Sequence, residues 1–182
     1  MHRQDGFTLV EMLMAVALIG IVSAMAIAVT PSLIAGTRAD SAAVSTLSVL
    51  DVARERAITE RRNFELRFIT PNRIQLIRSE IPGPATTVVS DVRFENNLQF
   101  LRFSGMPDTP DHFGGTAAIN FGATPAVFFT SEGTLVDSNG DPVNGTLFVG
   151  QTNDRTTARA LTIFGVTGLI RTWKWAGTRW TE

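Results

Sequence analysis

Asp137, Asn139 and Asp141 alternate within "DSNGDPVNG". Oxygen-bearing side chains at every second position open calcium-binding loops, because a hard cation collects six to eight oxygen ligands. The bidentate glutamate that closes such a loop is missing here, so the stretch reads as a turn and only secondarily as a metal candidate. The two histidines, His2 and His112, stand apart, the second in the loop "PDTPDHFGG". The chain has no cysteine, which removes disulfides, thiolate nucleophiles and cysteine-ligated zinc together. With no serine elbow, phosphate loop or histidine–carboxylate cluster, the sequence predicts neither an enzyme nor a cofactor. One further group could do chemistry: "GLIRTWKWAGTRW" sets Arg171, Lys174 and Arg179 among Trp173, Trp175 and Trp180. Cations beside aromatic faces hold single-stranded nucleic acid by stacking and phosphate contact. Strand alternation, however, puts Arg171, Trp173 and Trp175 on one face and Lys174 on the other. The competing reading is that the tryptophans close the edge of a core or pack on another subunit. The 16 basic and 17 acidic residues of the whole chain argue neither for nor against a polyanionic partner.

The remaining chemical residue is a single carboxylate, Glu11, inside "GFTLVEMLMAVALIGIVSAMAIAV", residues 6–29. From Met12 to Val29 nothing ionises, and at 1.5 Å per helical residue that run covers roughly 27 Å, close to the hydrocarbon thickness of a bilayer. Glu11 near one end is tolerated by a membrane but not explained by it. A secretory signal would be cut near Ala24-Met25-Ala26. A plain anchor would leave Gly6, Phe7 and Glu11 without a role. The run Gly6-Phe7-Thr8-Leu9-Val10-Glu11, behind a short polar leader, resembles the class III signal of type IV pilins and type II secretion pseudopilins. That resemblance implies cleavage by the prepilin peptidase between Gly6 and Phe7, N-methylation of Phe7, and an assembly contact from Glu11 to the N-terminal ammonium of a neighbouring subunit. In the leader "MHRQD", Asp5 offsets Arg3.

These residues need elements to carry them. Pro31 is expected to kink or interrupt the helix as it leaves the membrane. Ala43, Leu47, Leu50, Ala53 and Ala57 then recur at spacings of three and four, which predicts an amphipathic helix over about 38–62. Arg54, Glu55, Glu60, Arg61 and Arg62 lie mostly off that stripe and read as a solvated face with intrahelical pairs. From Phe64 the period falls to two, and "TPNR" turns the chain between Phe64–Phe68 and Ile74–Leu76. Further strands are predicted at 87–94, 98–103, 118–121, 126–130, 146–149, 160–164 and 169–175. The fold class is α+β: a long N-terminal membrane-spanning helix continuing into an amphipathic helix packed on antiparallel β-sheet. The domain reading is a leader over 1–6, a transmembrane or filament-core helix over 7–30, and a globular domain over 31–182.

The order Phe128-Phe129-Thr130-Ser131-Glu132-Gly133-Thr134, "GTLFVG", Arg159 to Phe164, a turn at Gly168 and a strand carrying Arg171 is similar to the C-terminal pattern of the GspH/FimT pseudopilin family. The resemblance implies a pilin-like fold and a minor pseudopilin near the tip of a type II secretion pseudopilus, supporting protein export. Its partners would be other pilins or pseudopilins, the prepilin peptidase and the inner-membrane assembly platform. The chain would pass once through the bacterial inner membrane, with a periplasmic C-terminal domain. A second reading that the resemblance allows is a FimT-like minor type IV pilin that binds DNA for uptake or primes pilus assembly, since some FimT-like members bind DNA. Where those members resemble a glycine-arginine-x-arginine turn, this chain has Gly168-Leu169-Ile170-Arg171. A third reading is an anchored periplasmic domain without a filament role.

Overall fold

The computed structural model describes residues 7–81, 83–122 and 126–182, with side chains throughout except over 25–33. The proposed leader, including Gly6 and His2, lies outside the described residues. The chain divides into two compact units, Met1–Ala35 and Gly36–Glu182.

Helix α1 (Leu9–Glu60) has 52 residues and enters both units. Helical backbone continues through Pro31, so the interruption expected there does not occur. Proline removes one hydrogen bond and crowds one carbonyl, and the turns on either side keep theirs. Among the described residues no helix is long and apolar enough to cross a membrane.

The second unit holds every buried residue among those described. Its part of α1 buries Ala39, Ala42, Ala43, Thr46, Val49, Leu50, Ala53 and Ala57. The stripe is wider than the sequence suggested, and alanine-rich, which lets the helix axis approach the sheets closely. Thr46 is tolerated inside it because its hydroxyl donates to the Ala42 carbonyl, 2.8 Å away.

After the helix come β1 (Phe64–Ile69), β2 (Arg73–Ser79), β3 (Thr86–Arg93), β4 (Leu98–Phe100), β5 (Ile119–Asn120), β6 (Ala126–Phe129), β7 (Leu135–Val136), β8 (Gly145–Gln151), β9 (Asp154–Phe164), β10 (Leu169–Trp175) and β11 (Trp180–Thr181). They form two antiparallel sheets. The first has the order β3-β2-β1-β6-β7; the second runs β11-β10-β9-β8-β4, with β5 also on β8. The expected β1–β2 hairpin pairs Leu66 with Leu76 and Phe68 with Ile74. β9 starts at Asp154, well before the apolar run at Ala160 that marks it in the sequence. Asn153, with a left-handed φ of 67°, closes a two-residue hairpin between Gln151 and Asp154. At the β9–β10 turn Gly168 has φ 63°, and a Cβ there would lie 2.4 Å from the Gly133 carbonyl oxygen, so only glycine fits.

Phe64, Leu66, Ile74, Leu76, Val127, Phe129, Leu135, Leu147, Leu161 and Ile163 meet the helix stripe in the main core. A second cluster joins Met106, Phe148, Ala158, Ala160, Trp173 and Trp180. Leu50 is fully buried. Its replacement by Ala is expected to cost roughly 2–5 kcal/mol, for lost transfer energy plus the cavity left behind. Val44→Ala on the exposed side of the same helix should stay within about 0.5 kcal/mol. Urea unfolding of the two variants checks the difference.

The helix charges correct another expectation. Among the described residues Arg54, Glu60 and Arg62, the last just past the end of the helix, find their partners on β2, beside it and in two turns. Arg62 bridges to Glu80 at 2.9 Å and Glu60 to Arg78 at 3.3 Å. Arg54 donates to the carbonyls of Gly133 and Thr167 at 3.3 and 3.0 Å, clamping two turns. Arg159 on β9, almost fully buried, donates to Asp40 on α1, to the Thr156 and Ala158 carbonyls at 3.0 and 2.9 Å, and to Gly36 at 3.2 Å.

Candidate functional site

At the start of α1, Thr8 and Glu11 satisfy one another's backbone. The Glu11 amide donates to Thr8 Oγ1 at 3.2 Å, and the Thr8 amide donates to Glu11 Oε2 at 3.3 Å. The Thr8 hydroxyl lies 3.4 Å from the same carboxylate oxygen. This reciprocal arrangement is a capping box, which fills two of the four amides left unpaired at a helix start. A carboxylate in the first turn also meets the positive end of the helix dipole. The Thr-x-x-Glu spacing ahead of an apolar run was the sequence signal for it, and sequence reasoning missed it. Glu11 therefore has an intramolecular role before any partner arrives.

Beyond the cap the helix is apolar all round. Phe7 is 80% exposed, and Leu9, Val10, Leu13, Met14, Val16, Leu18, Ile19, Ile21 and Val22 are all exposed in the isolated chain. A helix with no polar face is stable in water only when something covers it. Glu11 is the one ionisable group described in that surface, so any cover brings a carboxylate into an apolar surrounding, where an unpaired charge is strongly disfavoured.

The C-terminal group is not brought together as a stacking platform. Trp173 is 8% exposed, packs in the second core cluster, and donates from Nε1 to Thr162 Oγ1 at 2.9 Å. Trp180 is buried beside it and donates to the Pro107 carbonyl at 3.0 Å. Trp175, half-buried, meets Trp180 edge-on with ring centroids 5.2 Å apart. Arg171 pairs with the buried carboxylate of Asp111 at 2.9 Å and lies over the Phe164 ring. Lys174 turns the other way, 3.6 Å from Asp40. Burial pushes the Asp40 carboxyl up, but the hydrogen bond and charge of Arg159 and the charge of Lys174 outweigh it and hold it below the usual range. Arg179 is exposed in the β10–β11 turn. Three cations adjacent in sequence thus have three different surroundings, and two of the three tryptophans serve the core.

Asp137 accepts the amides of Asn139 and Asp141 at 2.8 and 3.0 Å. These contacts, led by the Asp141 amide, hold its carboxyl below the usual range. The three residues form an Asx-type turn, and no cluster with metal-binding capacity occurs among the described residues. His112 is exposed, with φ 58°, at the tip of its loop.

Residues 1–27 match the family described as the prokaryotic N-terminal methylation motif. No curated protein matches the chain. The structure is similar to the type IV minor pilin FimU of Pseudomonas aeruginosa, with a TM-score of 0.50 and 17% identity over 79% of this chain and 97% of that one. It is also similar to the minor pseudopilin EpsH from the type 2 secretion system of Vibrio cholerae, with a TM-score of 0.52 and 15% identity over 75% of this chain and 97% of that one. At these identities the likeness is one of fold. The chain thus carries the prokaryotic N-terminal methylation motif at one end and a fold like that of these minor pilins and pseudopilins over most of its length.

Proposed function

We propose that the chain is a filament subunit: a minor pseudopilin held in the bacterial inner membrane by residues 7–30 and then packed near the tip of a type II secretion pseudopilus, where it supports protein export. The observation that carries this reading is the uncovered apolar helix opened by the Thr8–Glu11 cap within the methylation motif. Such a surface suits a bilayer first and a bundle of like helices second, since both are apolar. In the bundle Glu11 would meet the ammonium of an adjacent Phe7 created by cleavage after Gly6. EpsH is a pseudopilin and FimU a pilin, and the same physical account serves a minor type IV pilin.

DNA uptake receives no support from Trp173 and Trp180, whose buried indole faces cannot stack on bases. Processing tests the proposal. Mass spectrometry of the membrane-extracted protein should find an N-terminus at Phe7 carrying one added methyl group. A chain beginning after Ala26, or one that keeps Gly6, would contradict it.

A further inference from the structure

Asparagine is followed by glycine twice in this chain, at Asn139-Gly140 and at Asn144-Gly145. The pairing matters because glycine has no side chain to crowd its own amide, so that nitrogen can approach the carboxamide of the residue before it. Both asparagines are exposed. The glycine backbone that follows each of them is held in opposite ways.

Asn139 and Gly140 lie in the connection between β7 and β8, and Gly140 is as exposed as its neighbour. Gly140 has φ 89°, and among the described residues no atom beyond its chain neighbours stands within 4 Å of the place a Cβ would take. Its amide donates to the Asp137 carbonyl at 3.1 Å, and Asn139 Nδ2 lies 3.3 Å from Asp137 Oδ2. Both bonds run to one residue of the same solvent-facing turn, so a single local opening frees both groups. The second pair is locked. Asn144 Oδ1 accepts the Gly165 amide at 2.8 Å. Gly145 is buried and opens β8, opposite Ile163 on β9. A Cβ there would stand 2.0 Å from the Phe121 ring and 2.7 Å from the Asn120 carbonyl oxygen. That backbone turns toward Asn144 only if β8 leaves a packed core, an opening close to global unfolding.

We propose that Asn139 is a deamidation site, where the folded protein exchanges a neutral amide for a carboxylate, and that Asn144 is protected although it has the same neighbour. The Gly140 nitrogen attacks Asn139 Cγ, the Cγ–Nδ2 bond breaks, and ammonia leaves with the proton of the Gly140 amide. Water then opens the resulting succinimide at either carbonyl, giving aspartate or isoaspartate, with nothing oxidised or reduced. One carboxylate in place of one amide takes the formal net charge from −1 to −2. The new charge falls between Asp137 and Asp141. In isoaspartate the backbone is also one carbon longer, which spoils the spacing that lets Asp137 accept the Asp141 amide. The inference does not depend on the filament reading.

The test incubates the full chain, in detergent, in warm and mildly alkaline buffer. Tandem mass spectrometry of its digest follows the gain of one mass unit at each asparagine. In the folded protein Asn139 should convert at least ten times faster than Asn144, whereas in concentrated urea the two should convert at comparable rates, because the lock on Gly145 is then gone. Isoelectric focusing of the folded protein should show an acidic band growing in step with conversion. Asn139→Gln should lack that band, since its longer side chain has to close a larger ring and reacts far more slowly. An Asn139 that persists in the folded chain while the urea-treated chain converts, or equal rates at the two sites in the folded chain, overturns the proposal.

Discussion

Arg159→Ala is expected to destabilise the globular unit by about 3 kcal/mol, through hydrogen bonds lost from a charged donor together with the cavity left in a packed site. A loss of that size is a large share of the 5–15 kcal/mol that holds an ordinary domain. Arg159 is where β9 is tied to α1, through Asp40 and the Gly36 carbonyl. The two sides of the pair are unequal. Arg159 is buried, whereas the Asp40 side chain is 48% exposed and keeps water when its partner is removed. Asp40→Asn is therefore expected to cost less, about 1 kcal/mol after allowing for solvent screening. It leaves the guanidinium its three carbonyl acceptors.

The pH dependence has a definite sign. The Asp40 carboxyl is held below its usual value in the fold, so its contribution is present above the unfolded value of about 3.9 and is lost as pH falls through the lower folded one. The Asp40→Asn variant should lack that acid limb. Asp91, lowered to about 2 chiefly by its hydrogen bond from Arg73, acts in the same direction. Urea midpoints of residues 36–182, measured from pH 7 to pH 2.5, check all three expectations. This fragment holds every buried residue described.

Local patterns were legible in the sequence and distant pairings were not. Phe64, Leu66, Ile74 and Leu76 alternate because one face of their hairpin is buried, and the helix stripe from Ala43 to Ala57 repeats at three and four because one face of α1 packs on it. Both periods are set by neighbours in the chain. β7 and β11 have two residues each, too few for any period to show. Arg54 and the Gly133 carbonyl are 79 positions apart, and Arg171 and Asp111 are 60; no local spacing marks either contact. The charges of α1 were read as solvated because their partners lie on β2 and in turns that only the fold brings near. Strand alternation did separate Lys174 from Arg171 and Trp173. The depth at which Trp173 and Trp180 sit depends on Met106 and Pro107, which a distant loop supplies. The Thr8–Glu11 cap was fully local, and attention to the carboxylate as a partner for another subunit hid its bond to its own helix.

If Glu11 also meets a neighbouring subunit as proposed, it is the residue with the largest expected effect on assembly. Glu11→Gln keeps the size of the side chain and its capacity to cap, since glutamine also serves at that position of a capping box. It removes only the charge. Insertion and cleavage should be unchanged, whereas incorporation into filaments should fall about tenfold or more, because one lone ammonium buried among apolar helices is strongly disfavoured. Thr8→Ala separates the two roles. It removes the hydroxyl from the cap, costs about 1 kcal/mol at the helix end, and leaves the charge in place, so incorporation should remain close to wild type.

The most direct measurement of the filament reading is the ratio of processed protein in sheared, purified filaments to processed protein left in the membrane, for wild type, Glu11→Gln and Thr8→Ala side by side. The account predicts a high ratio for wild type and Thr8→Ala, and a ratio lower by about tenfold for Glu11→Gln, in keeping with the loss of a charge pair in an apolar bundle. A Glu11→Gln chain that is cleaved and enters filaments as well as wild type would contradict it.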